Sequence, residues 1–197
     1  MRSMAVKFAV ALAALVLAGC AGTEFVRVAD EALALGRTTE GEIRARMGAP
    51  YREGVATLNG RQVRSLSYAY AHTGAEGAAD GVIAARSQGF YFFNDRLVGY
   101  EFISSWKEDS TNFDGAKVAQ IRKGQSTLGD VTRLLGRPGG RYIYPMVKGE
   151  GEEAVNYLYS QTTGSAFNLK FASKKLVVTH NRQGVVTEVE YTESGQQ

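Results

Sequence analysis

Hydrophobic positions along this chain repeat with two different periods. Leu66, Tyr68 and Tyr70 occupy alternate positions, as do Val98, Tyr100 and Phe102, and as do Val155, Tyr157 and Tyr159. A period of two places each set on one face of a β-strand. The spacing predicts strands over 55–58 and 61–71 around Asn59-Gly60, a dipeptide suited to a tight hairpin turn because both of its positions need positive φ. A second hairpin is expected over 89–93 and 97–104 through Asn94-Asp95. Further strands are expected over 142–147, 154–160 and 166–171, and a closing hairpin over 176–180 and 185–191 across 181–184. Residues 72–88 read as a Gly- and Ala-rich loop with one helical turn at 82–85, and residues 106–112 as a linker.

The helical period is confined to other stretches. Phe25, Val28, Ala32 and Leu33 recur at helical spacing up to Gly36, and Ala116, Val118 and Ile121 do so more weakly up to Gly124. Each of these glycines opens a motif that occurs twice. A shift of 88 places Gly36 on Gly124, Thr38 on Ser126, Gly41 on Gly129, Glu42 on Asp130, Ile43 on Val131, Met47 on Leu135, Gly48 on Gly136 and Pro50 on Pro138. This is an internal duplication. Each copy carries N-terminal caps, with Thr39 and Glu42 forming a capping-box pair. At the other end, Gly48 or Gly136 is placed for a left-handed helix terminus, and Pro50 or Pro138 stops the helix. Caps and turns account for the repeated residues as architecture rather than as a site.

The fold expected from these patterns is α+β: two tandem repeats, each a helix-turn-helix followed by an antiparallel β-meander. Residues 25–111 would form the first repeat and 112–197 the second.

The first nineteen residues change the picture of where such a protein works. Arg2 and Lys7 precede an apolar run of eleven residues, Phe8 to Ala18. That run is shorter than the roughly 20 residues a spanning helix needs and has the form of an export signal. It ends in Leu17-Ala18-Gly19-Cys20, which resembles the bacterial lipobox. The resemblance implies a cleaved signal peptide (1–19), a covalent lipid on Cys20 and a short tether (20–24). Ala21, rather than aspartate, after the lipidated cysteine implies the outer membrane, with the protein facing the periplasm. Cys20 is the only cysteine, so no intramolecular disulfide stabilises the chain.

Once Arg2 and Lys7 are removed with the signal, 21 Lys and Arg face 20 Asp and Glu. The mature chain is therefore close to neutral and has no long basic run, which argues against nucleic-acid binding.

The Gly-x-Thr/Ser motif, short helix and small-x-Pro ending, after a lipobox and before a meander, resemble the SmpA/OmlA (BamE-like) outer-membrane assembly lipoproteins. The residues that carry this are Gly36, Thr38, Ile43, Met47, Gly48 and Pro50, repeated as Gly124, Ser126, Val131, Leu135, Gly136 and Pro138. A two-helix-plus-meander unit used twice is similar to the β-lactamase inhibitory protein architecture. The assembly lipoproteins contain one such unit and this chain contains two.

Candidate chemistry is sparse. His72 and His180 have no partners at metal-ligand spacing and read as surface histidines, so no metal and no cofactor beyond the lipid is expected. No nucleophile elbow, phosphate loop or dinucleotide fingerprint is present, and no small-molecule substrate is evident. Tyr68, Tyr70, Tyr157 and Tyr159 remain as possible partner-binding residues. On the helix side of the sheets they would be core. On the open side they would form a tyrosine-rich surface suited to protein recognition. The expectation is a non-catalytic, outer-membrane-anchored lipoprotein that binds a protein partner in envelope or outer-membrane protein assembly. The alternative is an inhibitor or modulator of an extracytoplasmic hydrolase.

Overall fold

Asn59 and Gly60 have φ of 48° and 72°, the positive values that a tight two-residue hairpin turn requires. In the computed structural model, which describes residues 22–72, 77–165 and 168–195, this turn joins β1 (Arg52–Leu58) to β2 (Arg61–His72). Asn94 and Asp95, with φ of 50° and 59°, join β3 (Ala84–Phe93) to β4 (Arg96–Ser104). The remaining strands are β5 (Gly140–Ile143), β6 (Glu153–Ser165), β7 (Asn168–His180) and β8 (Val186–Gly195). All eight are antiparallel neighbours in chain order within one curled sheet.

Two eight-residue helices, α1 (Glu40–Met47) and α2 (Leu128–Leu135), pack on one face of the sheet. Both begin with a capping box. The Thr39 hydroxyl accepts from the Glu42 N–H at 3.2 Å while the Glu42 carboxylate accepts from the Thr39 N–H at 2.8 Å. Thr127 and Asp130 repeat the pair at 3.2 and 2.9 Å. Helices this short are marginal in isolation, and each is fastened to the sheet beneath it. The Tyr68 hydroxyl donates to the Gly48 carbonyl at 3.0 Å, and the Tyr157 hydroxyl donates to the Gly136 carbonyl at 2.9 Å.

The expected tandem of helix-turn-helix units is overturned: the chain is mostly one eight-stranded antiparallel sheet, with only 15% of it helical. Of each expected helix pair, only the second member forms. Residues 25–36 contribute just a 3₁₀ turn, Asp30–Ala32, and residues 114–123 a 3₁₀ segment, Gly115–Gln120. The physical reason is competition for backbone hydrogen bonds. The fully buried Gln88 side chain accepts from the Val28 N–H at 2.9 Å and donates to the Val28 carbonyl at 2.8 Å, so Val28 is paired as if in a sheet. Further on, the Gly36 N–H donates to the Leu97 carbonyl and the Leu97 N–H to the Thr38 carbonyl, both at 2.8 Å. Gly124, Val186 and Ser126 repeat this exchange at 2.8 and 2.9 Å. Tertiary partners thus outbid a helix too short to sustain itself.

Nor are there two separate meanders, because β5 pairs with β4 on one side and with β6 on the other. Residues 82–85, expected as a helical turn, instead lead into β3. The 142–147 strand stops at Ile143, and the described part of the 166–171 strand, from Asn168, lies with the 176–180 strand in the single long β7.

The core lies between the helices and the sheet. Ile43 of α1 and Val131 of α2 are each 0% exposed. Ile43 packs with Leu66, Tyr68, Phe90, Phe92, Leu97 and Tyr100, and Val131 with Phe113, Val155, Tyr157, Leu176, Val178 and Val186. Cross-strand partners share a face, so the pairs Leu66↔Phe90, Phe90↔Tyr100 and Tyr157↔Leu176 assign this face to the helices. The opposite face carries the alternate residues.

Candidate functional site

The structure places most of the sequence-derived candidates in the scaffold. Cys20 lies outside the described residues. Gly36, Thr38, Gly124 and Ser126 form the turns before the helices, where the Thr38 hydroxyl accepts from the Ala34 N–H at 3.0 Å and the Ser126 hydroxyl from the Arg122 N–H at 2.9 Å. Gly48 and Gly136 close the helices at φ, ψ of 76°, −149° and 84°, −161°. This is not the left-handed helical conformation expected, but a region essentially only glycine occupies. Pro50 and Pro138 follow in the exit turns.

The tyrosines divide. Tyr68 and Tyr157, 3% and 2% exposed, point under the helices and are core. Tyr70 and Tyr159 lie on the same face but beyond the helices and are half-buried. Tyr70 stacks against Trp106, with ring centroids 6.5 Å apart, and Tyr159 donates to Gln161 at 3.0 Å. Of the four, only Tyr70 borders the concavity on the opposite, open face. His180, expected at the surface, is only 6% exposed, whereas His72 is exposed and stacked on Tyr70.

The open face is built from residues that sequence reasoning passed over. At its centre two cross-strand rows run side by side. One is Tyr91–Gly99–Tyr142 and the other Gly89–Glu101–Gly140, across β3, β4 and β5. Large side chains alternate with glycines in both directions, so each large group lies over a neighbour that has no side chain. At Gly99 a Cβ would stand 2.6 Å from the Tyr142 ring, closer than any such contact tolerates, so the glycine makes room for the tyrosine.

Glu101 joins the two rows. Its carboxylate accepts from the Tyr91 hydroxyl at 2.8 Å and, through the other oxygen, from the Tyr142 hydroxyl. The rings themselves meet edge to face, 6.0 Å apart, a favourable arrangement for aromatic pairs. Burial, and after it the charge of Glu101, pushes both phenols well above their usual range. Tyr91 and Tyr142 are therefore fixed hydrogen-bond donors, and Glu101 is a fixed acceptor.

One flank of this centre is covered. The connection from β5 to β6 folds back over the open face, and Val147 packs there with Tyr142, Ala154 and Val177. The Asn59 side chain at the β1–β2 turn donates to the Pro145 and Val147 carbonyls at 3.0 and 2.9 Å. In a flat sheet β1 and β5 stand about 19 Å apart at the usual strand spacing, so this contact accompanies a sheet that curls around its open face. The other flank is bare. A concavity of about 190 Å³ lies there, where Tyr51, Tyr70, Arg86 and Ile103 surround small residues such as Ala85 and Ser87.

Among the described residues, no group of three or more His, Cys, Asp and Glu side chains is arranged to hold a metal ion, and no helix is long and apolar enough to cross a membrane. The period-two pattern of β3 did carry a signal for the open face, since Gly89 and Tyr91 oppose the buried Phe90 and Phe92. Joining Tyr91 to Glu101 and Tyr142, however, required the register of three strands.

No family model matches the chain, and no curated relative matches it. The resemblance to the SmpA/OmlA lipoproteins therefore gains no support from these comparisons. Among solved structures, the chain is similar to a Streptococcus mutans protein provisionally described as a beta-lactamase inhibitor protein. The two share 12% identity over 79% of this chain and 82% of that one, with a TM-score of 0.40. That likeness is too distant to carry a conclusion about function.

Proposed function

We propose that this protein is a non-catalytic protein-binding module, held at the periplasmic face of the outer membrane by a lipid on Cys20 and receiving an envelope protein on the open face of its sheet. The observation that carries this is the contrast within one sheet. One face is sealed by helices, while the other has a rigid Tyr91–Glu101–Tyr142 centre, covered on one flank by the β5–β6 connection and bare on the other. Antiparallel sheets are stable with one face uncovered. A concave surface with an internally tied, ordered centre and small residues beside it offers a partner a preformed shape. The lipobox ending at Cys20 supports the tether, and assembly or stabilisation of envelope proteins is the role proposed for it.

Photo-crosslinking from the open face tests this. A crosslinkable amino acid at Ser87 or Ser160 is expected to capture an envelope protein in intact cells, whereas one at Arg133, on the exposed side of α2, is not. Capture of outer-membrane assembly components supports the assembly role, and capture of a single hydrolase supports the inhibitor alternative. Equal labelling from both positions, or none from the open face, would overturn the proposal. For the tether, Cys20→Ser is expected to move the protein to the soluble periplasmic fraction or leave it unprocessed. Processed Cys20→Ser protein that stays in washed membranes would refute it.

A further inference from the structure

The described chain begins at one end of the sheet. Gly22 bridges Tyr70 on the side of β2 left free beyond Ser67, where pairing with β1 stops. From Gly22 to Cys20 is two residues, at most about 7 Å of extended chain. With the lipid on Cys20, as in the reading above, so short a tether leaves this end of the sheet little freedom to move away from the bilayer.

The same end gathers exposed apolar side chains. β2 stops here at His72, and the segment leading into β3 crosses to the β6–β7 hairpin, where the Ile83 N–H donates to the Thr162 carbonyl at 2.8 Å and Val82 bridges Thr163. Among the described residues, β8 is paired with β7 from Ala172 onward, and Asn168 to Phe171 of β7 pair with β6. In this stretch of β7 Leu169 is 42% exposed and Phe171 63%, with the exposed Lys170 between them. Tyr51, 58% exposed, lies beside Gly22 in the lining of the open-face concavity, with Ser160 across from them. Three of the five large apolar side chains exposed among the described residues are thus at the tethered end. At the opposite end the turns Asn59-Gly60, Asn94-Asp95 and Asn181 to Gly184 are polar, and the β5–β6 connection there tucks Val147 against Tyr142.

We propose that the tethered end of the sheet rests on the bilayer, with Leu169 and Phe171 immersed among the lipid headgroups and the strands standing away from the membrane. Exposed apolar side chains next to a lysine whose charged head reaches the phosphates suit the interfacial zone. A second immersion point some distance from the lipid also prevents the protein from swivelling about a single attachment. The open face is then presented sideways, along the membrane surface. Charges at this end are mixed, since Glu24 and Asp80 are exposed there as well as Lys170. Contact therefore depends on the acyl chains and the apolar pair rather than on anionic lipid.

The test uses the full mature protein purified from membranes and placed in phosphatidylethanolamine–phosphatidylglycerol vesicles. Intact mass reports whether Cys20 carries lipid. Phe171→Cys, Leu169→Cys and Gln183→Cys, each labelled with an environment-sensitive fluorophore, report depth through quenching by headgroup nitroxides. The expected result is a blue shift and loss of fluorescence at positions 169 and 171, with none at position 183. Unquenched labels at 169 and 171 on protein of acylated mass would overturn the membrane contact while leaving the tether intact. A mass without acyl chains would remove the tether, and the contact with it. A blue shift at 171 already present in the Cys20→Ser protein without vesicles would mean that protein, not lipid, covers the hairpin, and would also overturn the proposal.

Discussion

The two faces of the sheet are held together by opposite means. On the helix face Phe90, Phe92, Phe102 and Leu66 are all at most 2% exposed, and stability comes from apolar area removed from water. On the open face the centre is a checkerboard of glycines and tyrosines tied by one carboxylate. Its order comes from those hydrogen bonds under the partial cover of the β5–β6 connection. A face locked in this way stays structured while remaining free to meet another molecule, which a face made of exposed phenylalanines could not do without a standing risk of aggregation.

The largest effect that separates the faces is expected from truncating their large side chains. Phe90→Ala should cost about 3–5 kcal/mol through lost burial and the cavity left behind. Ile103→Ala, half-buried on the open face, should cost about 1 kcal/mol or less, there being little cavity to leave. Urea denaturation of both variants measures the difference, and similar midpoints would mean that the open face is core after all.

Next come the helix ends that seal the helix face. Gly48→Val and Gly136→Val each force a β-branched residue into a backbone region that costs of order 1–3 kcal/mol to occupy. Matching falls in melting temperature are expected, since the two glycines share nearly the same φ and ψ. A fall at one position only would show that the two helices are not fastened equivalently.

For the open face the corresponding change is Glu101→Leu, which leaves the Tyr91 and Tyr142 hydroxyls without their acceptor. Stranded donors of this kind cost roughly 1–3 kcal/mol. The more telling readouts are a changed near-ultraviolet dichroism and loss of crosslinking from Ser87. Glu101→Gln, which keeps an acceptor oxygen, should fall between Glu101→Leu and the wild type, and a Gln variant worse than Leu would argue against hydrogen bonding as the lock.

The smallest effects are those of pH, and they act on the helix face. Burial pushes the Tyr157 hydroxyl up to about 12, above the usual tyrosine value near 10. Its contribution is therefore complete below pH 10 and is lost as pH rises through 12. Tyr157→Phe should remove that part of the alkaline loss of stability. Asp130 is held down at about 2, first by the Thr127 N–H and then by the Thr127 hydroxyl and Arg133. This contribution is complete above the usual aspartate value and fades as pH falls toward 2. Asp130→Asn should flatten the acid limb of the stability profile slightly, and an unchanged limb would remove the capping box from the account of acid stability.

Local chemistry was legible in the residues wherever neighbours in sequence are also partners in space. Asn59-Gly60 and Asn94-Asp95 make the turns their types suggest, and Thr39 with Glu42 caps α1 as the spacing implies. The candidate site was far less legible. Alternation showed that Tyr68 and Tyr70 share a face, but alternation is symmetric and does not say which face a helix will cover. Tyr91, Glu101 and Tyr142 are neighbours only because three strands meet in one particular register.

The amino-acid sequence by itself determined the caps, the turns, the two short helices behind the repeated motif and most strand positions, because each depends on a few consecutive residues and their backbone preferences. Only the tertiary structure decided that residues 25–36 and 114–123 would form no more than short 3₁₀ segments, since a helix of that length has too few internal hydrogen bonds to resist partners such as Gln88 on Val28 and Val186 on Gly124. It also decided that β5 would insert between β4 and β6 and merge two meanders into one sheet. That merger places Tyr142 beside Glu101, more than forty residues away along the chain, and so creates the centre of the open face from groups that no local pattern could bring together.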